Sequence, residues 1–171
     1  MRTPTHSWGG GRSRKCRFAL SKHKKAKPPT FEILAERSKP TVRVQASTWR
    51  HLLQGSATAL AHLLIGEEAD KPPASSEMLS IELHRIDFDA MLEAWLNEIL
   101  QLGRKHSMVF HAFEILQLDL ESECRLTAMI EGSAVSLAQA NAIYSVSAPT
   151  PRIRNTGKRM ECEIHFRTSD S

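Results

Sequence analysis

Eight histidines and three cysteines are the side chains of this 171-residue sequence most suited to ligating a metal or moving a proton. Their spacing does not support either use directly. The histidines at 6, 23, 51, 62, 84, 106, 111 and 165 form no H-x-H or H-E-x-x-H pattern, the spacings that put two imidazoles on one ion. His84, His111 and His165 fall in strand-like segments, so a cross-strand cluster is the arrangement that could bring histidines together. Cys16, Cys124 and Cys162 make no C-x-x-C pair. An odd, sparse set of thiols fits a reducing compartment and predicts a cytoplasmic protein. The sequence holds no G-x-S-x-G, P-loop or dinucleotide fingerprint. Gly9 to Gly11 lack the following Lys-Ser or Lys-Thr that a phosphate loop needs.

Charge is the next chemical signal, and it is unevenly placed. Residues 1–30 hold nine of the 23 Lys and Arg and none of the 19 acids, which leaves residues 31–171 near −5. The basic pI therefore belongs to an appended arm. The arm contains Gly9 to Gly11, Pro28 and Pro29 and little apolar surface, so disorder is predicted for 1–30. Three readings stay open for it. It could be a solubilising extension of the reading frame. It could be an organelle transit peptide, rich in Arg and Ser but poor in amphipathic period. Or it could contact RNA through Arg12, Arg14, Lys15, Arg17, Lys22, Lys24, Lys25 and Lys27, gaining affinity by counterion release. No run approaches the ~20 apolar residues of a membrane helix, so no membrane partner is expected.

The elements that must position any site are legible in the periodicity. Phe31 to Leu34 predicts a strand. Thr41 to Ala46 alternates, with Val42, Val44 and Ala46 on one face. Ser47 or Thr48 caps a helix to about Leu64, in which Gly55 costs about 1 kcal/mol relative to Ala. Gly66 to Ser76 predicts a polar loop, and Met78 to Ile86 a strand. Asp87 caps the clearest helix, whose stripe is Phe88, Met91, Leu92, Trp95, Leu96, Ile99 and Leu102, with Gly103 as its C-cap. Strands follow at Met108 to Leu118 and Arg125 to Ile130, then at Ala142 to Ser147 and Met160 to Thr168. The last two are joined by a hairpin loop, PTPRIRNTGKR, with Gly157 in the turn. The order β-β-α-β-α-β-β-β-β predicts an α+β fold with two helices on one face of sheet. The predicted boundaries are 1–30 arm, 31–168 domain and 169–171 tail.

The segment DAMLEAWLNEILQLGRKHSMVFHAF, Asp89 to Phe113, resembles the archease family. That family has a helix "LL-x-x-WLNELL" followed by "LVF-x-x-F". Leu92, Trp95, Leu96, Asn97, Glu98, Leu100, Val109, Phe110 and Phe113 fall on the pattern. Phe31-Glu32-Ile33-Leu34 resembles the opening "YE-x-L" strand, and Leu126, Ala128 and Gly132 resemble "L-x-A-x-x-x-G". The similarity spans 31–168 and implies an archease-type sandwich. It also implies a role without enzymatic activity of its own. Archeases assist the RNA ligase that joins 2′,3′-cyclic-phosphate or 3′-phosphate ends to 5′-hydroxyl ends, in tRNA splicing and RNA repair. They promote its guanylylation and turnover. The alternative is a divergent archease-fold binding module that has lost this metal-dependent role.

The resemblance also implies where a divalent cation would be held: by an acid in an early "H-T-A-D" motif and another ending the last strand. Here the early motif falls on Glu36-Arg37-Ser38-Lys39 and the late position on Arg167. The family's "K-A-x-T-x-H" strand falls on Asn141 to Val146, without its Lys and His. Exchanging two carboxylates for two cations changes the local charge by about four units, worth several kcal/mol against a cation at short range. No metal and no other cofactor is expected. The expected functional pocket is Glu36, Lys39, Glu163 and Arg167. In it Lys39 and Arg167 face each other, paired with nearby acids or holding an anion such as phosphate.

Overall fold

In a computed structural model, residues 27–34, 39–71, 75–136 and 146–168 are described. The elements are β1 (Thr30–Leu34), β2 (Thr41–Ala46), α1 (Trp49–Ile65), a 3-10 turn (Gly66–Asp70), β3 (Glu77–Arg85), α2 (Phe88–His106), β4 (Met108–Asp119), β5 (Cys124–Ala134), β6 (Val146–Asn155) and β7 (Met160–Thr168). This is the predicted order, and the α+β class holds. The strands form two antiparallel sheets, β1-β2-β7-β6 and β3-β5-β4.

Both helices touch both sheets. Helix α1 packs on β2 and β4, and α2 on β6 and β3. Each sheet thus keeps its helices on one face, and the two sheets clasp the same helix pair. This explains why α1 is buried more widely than a one-sided amphipathic helix. Leu52, Leu53 and Leu60 are fully buried, and so are the small Ser56, Ala57 and Ala59 that let the sheets approach. Ser56 satisfies its hydroxyl by donating to the Leu52 carbonyl at 2.7 Å, the back-bond that lets a hydroxyl be buried inside a helix.

The helix starts follow their caps. Thr48 Oγ1 accepts from His51 N–H at 3.1 Å, and Asp87 Oδ1 from Ala90 N–H at 2.8 Å. The end of α2 differs from expectation. Gly103 is buried inside the helix, which continues through Arg104, Lys105 and His106. Ser107 is the terminating left-handed residue (φ 53°), and its N–H bonds the Gly103 carbonyl. The basic last turn, favourable at the negative end of the helix dipole, carries the helix past the glycine.

The last hairpin also differs. The expected loop PTPRIRN is strand: β6 runs through Pro149 and Pro151 to Asn155, and the turn is confined to 156–159. The expected strand Ala142 to Ser147 lies mostly outside the described residues. Proline is tolerated because β6 is an edge strand, where a missing N–H breaks no ladder bond on the open side. The register shifts between Ser147 and Thr150, next to the first proline.

One edge is closed by side chains. Strand β4 ends its sheet, and Arg50 and Gln54 of α1 donate to its Ile115 and Phe113 carbonyls, the latter at 3.0 Å. Four helical residues advance about 6 Å and two strand residues about 6.8 Å, so the two donors match the two acceptors.

Candidate functional surface

The outer face of the β1-β2-β7-β6 sheet carries the polar residues that alternate with the core. Its rows follow from the register. Glu32, Arg43, Glu163 and Arg152 stand side by side across four strands, as do Thr30, Gln45, Glu161 and Arg154. Arg43 lies 3.8 Å from Glu32, 3.6 Å from Glu161 and 3.5 Å from Glu163. Its Nε makes no hydrogen bond to the described residues. These groups are more than a third exposed, so the network is worth little per pair. It does fix where each carboxylate points.

Toward the start of β2, Thr41 Oγ1 contacts His165 Nδ1 at 3.0 Å, and His165 Nε2 lies 3.3 Å from Glu163 Oε1. The pairing runs one residue past the strand: Phe166 N–H donates to the Pro40 carbonyl at 2.9 Å. Thr41 opposes His165; Lys39 lies two residues before Thr41 and Arg167 two after His165, at the same end of the sheet. Both are exposed. Of the four expected pocket residues, Lys39, Glu163 and Arg167 thus belong to this end of the sheet. Glu36 lies outside the described residues, as do the arm cations Arg12, Arg14, Lys15, Arg17, Lys22, Lys24 and Lys25. Lys27 is described and exposed.

The donor chemistry does not fit a divalent cation, which needs several oxygen ligands. Glu163 is engaged by Arg43 and His165, and two cations occupy the neighbouring positions. No group of three His, Cys, Asp or Glu side chains placed to hold a metal occurs among the described residues. The histidine cluster does not form either. His84 and His111 lie on β3 and β4 with β5 between them, and His165 is on the other sheet.

Burial sets the two described thiols. The Cys162 thiol is pushed up to about 12, first by burial and then by the nearby Asp89 and Glu163 charges, against a hydrogen bond from the Arg152 backbone. Cys124 is also raised, by burial and by Asp87 and Asp119. Neither has the depressed pKa of a reactive thiol.

Sequence reading missed two clefts at the other end of β2, of about 180 and 350 Å³, which share Ser47, Lys158 and Arg159. The signal was the basic run RIRNTGKR, read as a bare loop.

The Archease protein family (MTH1598/TM1083) model matches residues 31–166. The chain belongs to the archease family. The solution structure of protein 1598 from Methanobacterium thermoautotrophicum is similar in fold, with TM-score 0.60 and 12% identity over 80% of this chain and 97% of that one. No curated protein sequence matches.

The archease pattern is mostly packing. Leu92, Trp95, Leu96 and Leu100 are buried, and the indole N–H of Trp95 donates to the Leu53 carbonyl at 3.1 Å. Asn97 and Glu98 are half-buried. Gly132 is required by close approach: a Cβ there would lie 2.6 Å from Phe110 Cδ1 and 2.8 Å from the Val109 carbonyl oxygen. The archease motif therefore ties α2 to α1 and β5 to β4.

Proposed function

We propose that this archease domain is an accessory protein of an RNA ligase that joins 3′-phosphate or 2′,3′-cyclic-phosphate ends to 5′-hydroxyl ends. It assists guanylylation and turnover of the ligase and performs no catalysis itself. The observation that carries this reading is family membership across residues 31–166. Among the described residues no helix is long and apolar enough to cross a membrane. A cytoplasmic setting, with the ligase as partner and RNA within reach of the basic arm, is part of the same proposal.

A second reading is favoured by Lys39 and Arg167. If activation requires a cation at that end of the sheet, the domain is a binding module that has lost this step. A multiple-turnover ligation assay with the cognate ligase separates the two. Stimulation by the full chain, without added cation beyond what the ligase needs, supports the accessory role. No stimulation, where a metal-binding archease does stimulate the same ligase, leaves the divergent module.

A further inference from the structure

The domain is acidic as a whole, yet its cations are not evenly spread. Four of the 14 Lys and Arg in residues 31–171 fall between 152 and 159, on β6 and its turn into β7. Arg152 and Arg154 stand opposite Glu163 and Glu161 in the register. Among the described residues Lys158 and Arg159 stand opposite no acid. They line both clefts at this end of the sheet, and none of the described residues that line either cleft is acidic.

The walls are built from three places. One is the start of α1, where Ser47, Thr48 and Trp49 contribute and the first turn holds no acid. The second is the β6–β7 turn. It is held closed by the Arg159 carbonyl, which accepts both the N–H and the hydroxyl of Thr156, at 3.0 and 2.9 Å. Gly157 N–H donates to Asn155 Oδ1 at 2.8 Å. The two cations thus project from a fixed backbone. The third is the entry of the chain, where Lys27, Pro28 and Thr30 close the smaller cleft. The 26 residues preceding Lys27 carry eight more Lys and Arg and no acid.

We infer that the clefts around Lys27, Lys158 and Arg159 form a binding surface for the phosphate backbone of a nucleic acid strand. A fixed pair of cations with hydroxyl and amide donors suits phosphodiester oxygens. Lys27 adds a third cation to the smaller cleft. An isolated phosphate would not need three cations spread over two adjoining clefts, whereas a strand with one charge per nucleotide would use them. The surface is well removed from Lys39 and Arg167, since β2 alone separates the two ends by about 17 Å. It does not depend on the ligase role.

The test measures binding of the full chain to oligouridylate and to oligothymidylate of equal length, over a range of salt. Each phosphate contact on a single strand contributes about 0.7 to the slope of log K against log salt. Lys158→Gln/Arg159→Gln should lower that slope by about 1.4 for both strands. Lys158→Glu/Arg159→Glu should weaken binding further. The control is Lys105→Glu, 17 residues along α2 from Phe88. The Phe88 ring contacts Trp49 at a centroid distance of 4.4 Å, so the control lies about 25 Å from the clefts. It should leave the slope unchanged. Circular dichroism checks that the folds are equal. The inference is overturned by no binding of the unaltered chain, by an unchanged slope in the double Gln variant, or by an equal drop in the control. Equal, slope-matched binding of polyglutamate would also overturn it, since the surface would then take any polyanion.

Discussion

The indole N–H of Trp95 donates to the backbone carbonyl of Leu53, 42 positions earlier, inside a fully buried contact between the two helices. A hydrogen bond and a large aromatic surface are thus combined in one side chain, on the helix that carries the family pattern. Trp95→Phe keeps most of the volume and removes the donor, so it should cost about 1–2 kcal/mol. Trp95→Ala opens a cavity as well and should cost about 3–5 kcal/mol. Urea unfolding of the two variants checks both figures, and a cost near zero for Trp95→Phe would mean the bond contributes nothing.

Two glycines should resist replacement for reasons of space. From sequence, Gly55 weakens α1 and Ala should improve it. In the fold a Cβ at 55 would meet Pro29 Cβ at 2.7 Å and Val44 Cγ1 at 2.9 Å. Helix propensity favours Ala by about 1 kcal/mol, and overpacking costs about 1–3 kcal/mol, so Gly55→Ala should be net destabilising. Gly132→Ala should be worse, because one of its clashes is with the backbone carbonyl of Val109. Thermal melts of the two variants should rank them in that order below the unaltered chain.

Burial of Cys162 gives stability a dependence on alkaline pH. Up to its ordinary value of 9.0 the thiol is neutral in both folded and unfolded chains and has no effect. From there to about 12 the unfolded chain releases the proton and the folded chain retains it. Stability then falls with rising pH, by up to about 1.4 kcal/mol per unit. Cys162→Ala removes this term, so the difference in stability between variant and unaltered chain should shrink from pH 8 to pH 10. A constant difference would show that the thiol does not titrate as described.

Cation binding should be absent at Lys39 and Arg167 and recoverable there. Magnesium or calcium should not raise the Tm of the unaltered chain. Lys39→Asp/Arg167→Asp returns two carboxylates to one end of the sheet, and its Tm should rise by a few degrees with either ion, as ligand linkage requires. A cation-dependent rise in the unaltered chain would show that other oxygens suffice.

The helices were legible because their periodicity is strong: Asp87 caps α2, and its stripe buries Met91, Leu92, Trp95, Leu96 and Ile99 as the spacing predicts. Strand β2 was legible to the residue, since Val42, Val44 and Ala46 face one way. Strand β6 was not, because Pro149 and Pro151 read as loop unless the strand is known to lie at an edge. The role of Gly55 was hidden for a similar reason. Propensity is local, and the Val44 and Pro29 atoms that need the space come from elsewhere in the chain. Lys39 and Arg167 stood out from the pattern of substitution, but that β2 and β7 are neighbours, which brings both to one end of a sheet, only the topology supplies. The clefts beside Lys158 were invisible because their three walls are 20 to 130 residues apart in sequence.

The bonds from Arg50 and Gln54 to β4 bear on what the protein avoids. A long outer strand with open carbonyls invites another chain to add to it, and that is how sheets grow into fibres. Here the helix behind the strand occupies those acceptors before a neighbour can. A helix face read as simple packing against the sheet therefore also works as a guard against self-association. Removing the two side chains would alter the colloidal behaviour of the protein before it altered its fold.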